Sequence, residues 1–243
     1  MNTTASPHLP PSPLSCCYRS GDRLLRRNVG AVVRTGTLEV HAPPARLLAD
    51  WQRETTLHRA LEPGDVEALP LARARARWPD YARCVQAVAD WTGAMGLQDV
   101  LAETDVALMA CRGARYHHDG AQYGGMAFCN LFLSEDRGLD LHFASSGLRI
   151  PLRRGTAVLF DTCQPHAVIA RQRSGFDPAD FPADLDRTQV FLTWELPLDR
   201  LALAQTLGIR LALAAPNAAP SEEGQVWRDG APVQVCPDTG RWS

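Results

Sequence analysis

Residues 155–168 read Gly155-Thr156-Ala157-Val158-Leu159-Phe160-Asp161-Thr162-Cys163-Gln164-Pro165-His166-Ala167-Val168. The run Thr156–Phe160 is a short apolar stretch opened by a glycine, the pattern of a buried strand. The polar link Asp161–Pro165 is a plausible tight return. His166 then starts a second strand, antiparallel to the first. Further strands follow outward from this pair. Upstream lie Leu148–Leu152, Leu139–Phe143, Met126–Leu133, Arg115–Asp119 and Asp105–Cys111, and downstream lies Thr188–Glu195. Turn residues separate them, among them Asp119-Gly120, Gly124-Gly125, Gly138, Gly147 and Gly155. Eight short strands at this spacing predict a barrel or a two-sheet roll.

The flanks differ from this pattern. Residues 1–20 are rich in Pro and Ser and are expected to form a disordered tail, with Cys16-Cys17 in it. Short β-type runs are expected at Val29–Val33 and Thr37–Val40, and a helix near 45–61. A second helix is expected where Tyr81, Cys84, Val85, Val88, Trp91, Thr92 and Met95 recur at helical spacing, with Pro79 near its start and Gly96 near its end. That stripe, like Trp51 and Trp194, reads as core. After Leu198 a short helix is expected to run to Gly208. A terminal hairpin around Val226–Val235 turns at Asp229-Gly230. No internal repeat is visible. The organisation predicted is a tail (1–20) and a single domain (21–243). Strands and supporting helices fill 21–104, the β core fills 105–197, and an extension fills 198–243. The class is mainly β with flanking helices.

Composition excludes several chemistries. The chain of 243 residues has a formal net charge of −2, so it lacks the basic balance of a general nucleic-acid binder. No apolar run reaches the about 18 residues a membrane helix needs. The start lacks the basic and apolar pattern of a secretory leader, and a cytoplasmic location is expected. Seven cysteines without a Cys-x-x-Cys pair point to reduced thiols acting as small apolar residues. The sequence contains no lysine. That removes Schiff-base chemistry, lysine general bases and the Walker-type phosphate loop. Any anionic ligand must be held by arginine, backbone amides or a metal.

Four of the seven histidines fall between 117 and 166, around Tyr116-His117-His118-Asp119. Alternate residues of a strand share a face, so His117 and Asp119 project together and His118 projects away. One imidazole and one carboxylate are a partial metal site. His166, on a later strand, is the expected third ligand. Two imidazoles and one carboxylate on one side of an octahedral ion leave three positions open, the donor set of non-haem iron(II) oxygenases. His118 and His142 read as exposed or hydrogen-bonded structural residues.

Together these segments resemble the iron(II)/2-oxoglutarate oxygenases, in particular the prolyl-hydroxylase-like branch. The carriers of the resemblance are His117-His118-Asp119, Ile150–Phe160, Gln164-Pro165-His166-Ala167-Val168 and Thr193-Trp194-Glu195, within roughly residues 105–197. It implies a double-stranded β-helix (jelly-roll or cupin-like) core. It also implies iron(II) on His117, Asp119 and His166, 2-oxoglutarate as co-substrate, and dioxygen. The expected reaction hydroxylates a C–H bond of a small-molecule or peptide substrate, with release of succinate and carbon dioxide. In that family a basic residue after the distal histidine pairs with the far carboxylate of 2-oxoglutarate. Arg187, just before Thr188, is the expected anchor, and an arginine fork suits a carboxylate. The long stretch 171–186 leaves Arg171 and Arg173 as substitutes. Asn130, polar within the run Ala127–Leu133, is a second expected cofactor contact, and Tyr123 a further hydrogen-bond donor. Two alternatives remain open: a cupin-like metal enzyme that does not use 2-oxoglutarate, and a non-catalytic metal- or ligand-binding barrel. The substrate is not readable from the sequence.

Overall fold

A computed structural model describes residues 14–58, 60–102, 104–214 and 223–243. The chain opens with strands β1 (Leu14–Ser20), β2 (Arg23–Asn28) and β3 (Arg34–Thr37) and helix α1 (Ala45–Arg53). Strand β4 (Val66–Leu69) and helices α2 (Leu71–Arg77) and α3 (Tyr81–Ala94) come next. Then β5 (Val106–Cys111), β6 (Ala114–His117) and the single turn α4 (Gly120–Tyr123) lead into the core. It continues through β7 (Met126–Phe132), β8 (Leu139–Phe143), β9 (Leu148–Pro151), β10 (Thr156–Asp161), β11 (His166–Ala170) and β12 (Gln189–Pro197). Helix α5 (Leu201–Thr206) and strands β13 (Leu211–Leu213), β14 (Val226–Arg228) and β15 (Ala231–Val233) complete the described chain.

Strands β5 to β12 build the centre. One sheet runs β3-β10-β7-β12-β5-β4 and faces a second ordered β6-β11-β8-β9. Every connection from β5 to β12 crosses between the two sheets except the β8–β9 hairpin, and all pairs are antiparallel. This winding is a double-stranded β-helix, a jelly roll. β3 and β4, four residues each, form the two edges of the large sheet, and such short edge strands limit edge-to-edge pairing.

The period-2 alternation of side chains splits the large sheet's residues between two environments. Ala127, Cys129 and Leu131 of β7, Ala157 and Leu159 of β10, and Leu192 and Trp194 of β12 face outward. There they meet Leu47 and Trp51 of α1, Trp78, and Cys84 and Val88 of α3. Trp51 and Trp78 pack edge to face with centroids 6.4 Å apart. The intervening residues Phe132, Val158, Phe160 and Phe191 point into the roll. With both faces covered, β10 and β11 are buried at every position. This explains their unbroken apolar reading. Among the described residues no helix is long and apolar enough to cross a membrane.

Three expectations are corrected. Residues 14–20 of the expected tail form β1, between β2 and β14 in a sheet ordered β13-β2-β1-β14-β15. Cys16 and Cys17 are buried there, and residues 1–13 lie outside the described set. The N-terminal strands are displaced from Val29–Val33 and Thr37–Val40 to β2 and β3. Gly30 sits so close to Leu207 that an added Cβ would lie 2.7 Å from its carbonyl oxygen. Its N–H donates to Asp161 Oδ2 at 2.6 Å instead of joining a ladder. The helix expected at 45–61 has regular α geometry only over α1, followed by a wider-wound turn to His58. The hairpin β14–β15 turns at Asp229-Gly230 as expected, both residues with positive φ.

The N-terminal sheet is fastened to the core by one buried ion pair. Asp161, at the end of β10, accepts from Arg27 Nη1 at 2.7 Å and Nη2 at 2.8 Å. It also accepts from the backbone N–H groups of Gly30 and Cys163. Neither charged side chain reaches solvent. Removing one partner strands the other as an uncompensated buried charge. Asp161→Ala is therefore expected to destabilise the fold by about 3–5 kcal/mol, read from urea-unfolding midpoints at unchanged m-value. A loss below about 1 kcal/mol, the scale of an exposed pair, would contradict this role.

Candidate metal centre

β6 and β11 pair antiparallel, with His117 directly opposite His166. The ladder slips between His166 and Val168, which pairs with Ala114. This one-residue bulge in β6 re-aims the end of the strand. The imidazole centroids lie 4.4 Å apart. Asp119 does not continue the strand as the alternation argument assumed. It lies in the turn before α4, with φ −102° and ψ 17°. Its N–H donates to Thr162 O at 2.8 Å, which draws it against the β10–β11 return. One carboxylate oxygen then lies 3.7 Å from His117 Nε2, and the other lies 3.6 Å from His166 Nε2. Ligand atoms of the three residues all lie within 4.8 Å of one another.

Backbone carbonyls set the tautomers. His117 Nδ1 lies 2.7 Å from Arg115 O, and His166 Nδ1 lies 3.0 Å from Gln164 O. A carbonyl only accepts, so each Nδ1 carries the proton and each Nε2 presents its lone pair to the centre. Burial, reinforced by His117, pushes the His166 pKa down to about 3. That ring is neutral at pH 7, as a metal ligand must be. Burial pushes the Asp119 carboxyl up, against the pull of His117 and His118. A cation would relieve this. The donor set of two imidazoles and a carboxylate suits iron(II).

His118 turns away as expected. Its Nδ1 accepts from Gly120 N–H at 3.1 Å, and its ring lies against Trp242. His142 bonds Tyr116 OH. Thr162, which sequence reasoning passed over, braces both sides of the site. Its hydroxyl lies 2.7 Å from Tyr123 O and 2.9 Å from Met126 O. Only its place in the Asp161–Pro165 return hinted at this.

The triad opens onto a cavity of about 420 Å³ inside the roll. Phe128, Asn130 and Phe132 of β7 and Phe191, Thr193 and Glu195 of β12 line it, with Phe160 and Tyr123 near the triad. Asn130 and Thr193 are cross-strand partners, and Asn130 Oδ1 is buried without a partner. Asn130 and Tyr123, the expected cofactor contacts, both line the cavity. Burial, then the Glu195 carboxylate, raises the Tyr123 pKa.

Arg187 does not line this cavity. It precedes β12 in a loop, whereas the strand's inward positions are 191, 193 and 195. Its Nε is buried without a partner. Arg171 bonds Asp136 and Asp140 at 2.7 and 2.9 Å, and Arg173 bonds Asp180 at 2.9 Å. Among the described residues no arginine lines the cavity. The triad thus suits the chelating end of 2-oxoglutarate, but the cavity wall offers no cation to its second carboxylate.

A scan against protein-family models finds no match, and neither does a search of curated proteins. Solved structures do show likeness. A prolyl-4-hydroxylase from Pseudomonas putida is 17% identical over 68% of this chain and 92% of its own, with a TM-score of 0.41. The collagen prolyl hydroxylase of Paramecium Bursaria Chlorella virus-1, in a 2-oxoglutarate complex, is 8% identical over 68% and 94%, at 0.42. EvdO2 from Micromonospora carbonacea var. aurantiaca is 12% identical over 79% and 91%, at 0.44. At these values the likeness carries no weight for ligand or reaction.

The His166 environment predicts a pH dependence for the metal-free protein. The unfolded ring takes up a proton near pH 6.5, but the folded ring only near pH 3. Between these values the unfolded state binds more protons, so stability falls as pH is lowered from 6.5 toward 3. Replacing His166 by Gln is expected to flatten that slope in urea titrations across the same window. Parallel slopes would show that the ring is not buried neutral.

Proposed function

We propose that this protein is a mononuclear iron(II) oxygenase that takes a 2-oxo acid as co-substrate and inserts oxygen into a C–H bond of a small-molecule or peptide substrate. One observation carries the reading: ligand atoms of His117, His166 and Asp119 lie within 4.8 Å of one another at the wall of a mainly apolar cavity. Iron(II) at such a site supplies dioxygen activation. The chain's own residues do the positioning. Arg115 O and Gln164 O hold the two rings in the ligating tautomer. Asn130 and Thr193, side by side on the wall, orient a polar end of the co-substrate. Phe128 and Phe160 keep water from the space beside the triad. Tyr123 and Glu195 provide polar contacts near the metal end.

The absence of an arginine from the described wall also favours a second reading: a metal enzyme on the same fold that uses no oxo acid. The two separate on one measurement, since only the first consumes a 2-oxo acid stoichiometrically with dioxygen.

Anaerobic titration is expected to load one iron(II) per chain, and a 2-oxo acid is then expected to produce a visible metal-to-ligand charge-transfer band. Asp119→Ala and His166→Ala should each abolish stoichiometric loading while the far-UV spectrum stays native. Full iron loading in His166→Ala would remove the assignment.

A further inference from the structure

The strand register divides the cavity into tiers. Phe128, Phe160 and Glu195 share the first tier with the triad, since Phe128 pairs with both Phe160 and Glu195. Two residues further along, about 7 Å on the strand rise, Asn130 faces Thr193. One more step inward, Phe132 pairs with Phe191, and Phe191 with Met109. Across the roll Val168 pairs with Leu141 and, on its other side, with Ala114. The third tier is therefore Phe132, Phe191, Met109, Leu141, Val168 and Ala114, all on the cavity wall, and Cys111 with its partner Val66 lines the cavity one register beyond it.

No residue of that tier carries a charge, and the tier above it offers only an amide and a hydroxyl. The carboxylates on the cavity wall, Asp119 and Glu195, have the wrong sign to receive another anion. A ligand that chelates the triad and reaches inward must strip its inner end of water. A carboxylate at that end would stay charged, desolvated and without a cation. A hydrocarbon end would gain from the same transfer. Sequence exclusion strengthens the point: with no lysine in the chain, a cation there must be an arginine. Arg171 and Arg173, the substitutes for Arg187, are bound to aspartates off the wall.

We infer that the co-substrate pocket is built for a monocarboxylate 2-oxo acid with an apolar side chain, its oxo acid group on the metal and its tail in the Phe132–Phe191 tier, and that it disfavours 2-oxoglutarate. The inference rests on the iron-site reading above and names the co-substrate class for it. Asn130 and Thr193 are the polar limit of the site, and Phe132 and Phe191 set its specificity.

The test uses the whole protein loaded anaerobically with iron(II), whose stoichiometry is measured first. 2-Oxoglutarate, pyruvate, 4-methyl-2-oxopentanoate and phenylpyruvate are then titrated in turn, following the charge-transfer band and tryptophan fluorescence. One of the two apolar acids is expected to bind at least tenfold tighter than 2-oxoglutarate, with pyruvate in between. Phe191→Arg, which places a cation in the third tier, is expected to reverse that order. The wild-type ranking stands as the test even if that variant does not fold. Equal or tighter binding of 2-oxoglutarate to the wild-type protein overturns the inference while leaving the iron site intact, as does iron loading with no oxo acid bound. Failure to load iron removes the proposed function and this inference together.

Discussion

The carboxylate of Asp161 collects three donors, two of them from a segment more than a hundred residues earlier in the chain. These are the Arg27 guanidinium on β2, the Gly30 N–H beyond it, and the Cys163 N–H in the β10–β11 return. A charge with no exposure to water survives only if such partners are complete. The requirement ties the N-terminal sheet to the return that delivers His166 and, through Thr162 O, to the backbone of Asp119. Arg27 also donates from Nε to Gly124 O at 2.6 Å, in the segment between α4 and β7. The triad thus hangs between two loops, both held by one buried ion pair.

The large sheet performs two tasks with one set of strands. Outward residues of β7, β10 and β12 seat the helices, and inward residues shape the cavity. A one-residue slip in any of these strands would exchange the two sets, placing Trp194 in the cavity and Thr193 under the helices. The dense outer packing, with Trp51, Trp78 and Trp194 in one cluster, therefore protects the register on which the inner wall depends. Rigid walls are what a site needs when its polar groups are few and their placement decides which ligand fits.

The cavity's electrostatics follow from that division. Apart from the triad, the wall carries Asn130, Thr193, Tyr123 and Glu195 as its polar groups. A cation at the metal would be the dominant positive charge of the site, balanced in part by Asp119. Such a wall selects ligands by how their inner end tolerates loss of water, rather than by pairing charges.

Much of this was legible in the chain. The eight strands and the turn glycines between them follow from local alternation and turn chemistry. These are short-range effects that a sequence displays directly. Asn130 stood out because an amide in an apolar run must find a partner. The burial of Cys16 and Cys17 was not legible. β1 has little pattern of its own and is ordered by β2 and β14, the latter some two hundred residues away. The place of Arg187 was not legible either: it opens the expected strand, yet it precedes β12 in a loop and is not on the cavity wall. The sequence by itself determined the strands and turns of a barrel or two-sheet roll and marked His117, Asp119 and His166 as candidate donors, because periodicity and turns act within a few residues. Only the tertiary structure decided that Asp119 reaches the histidines from a turn, that Asp161 ties the two ends of the fold, and that the cavity is left without a cation. Each of those depends on contacts between distant segments, which no local pattern encodes.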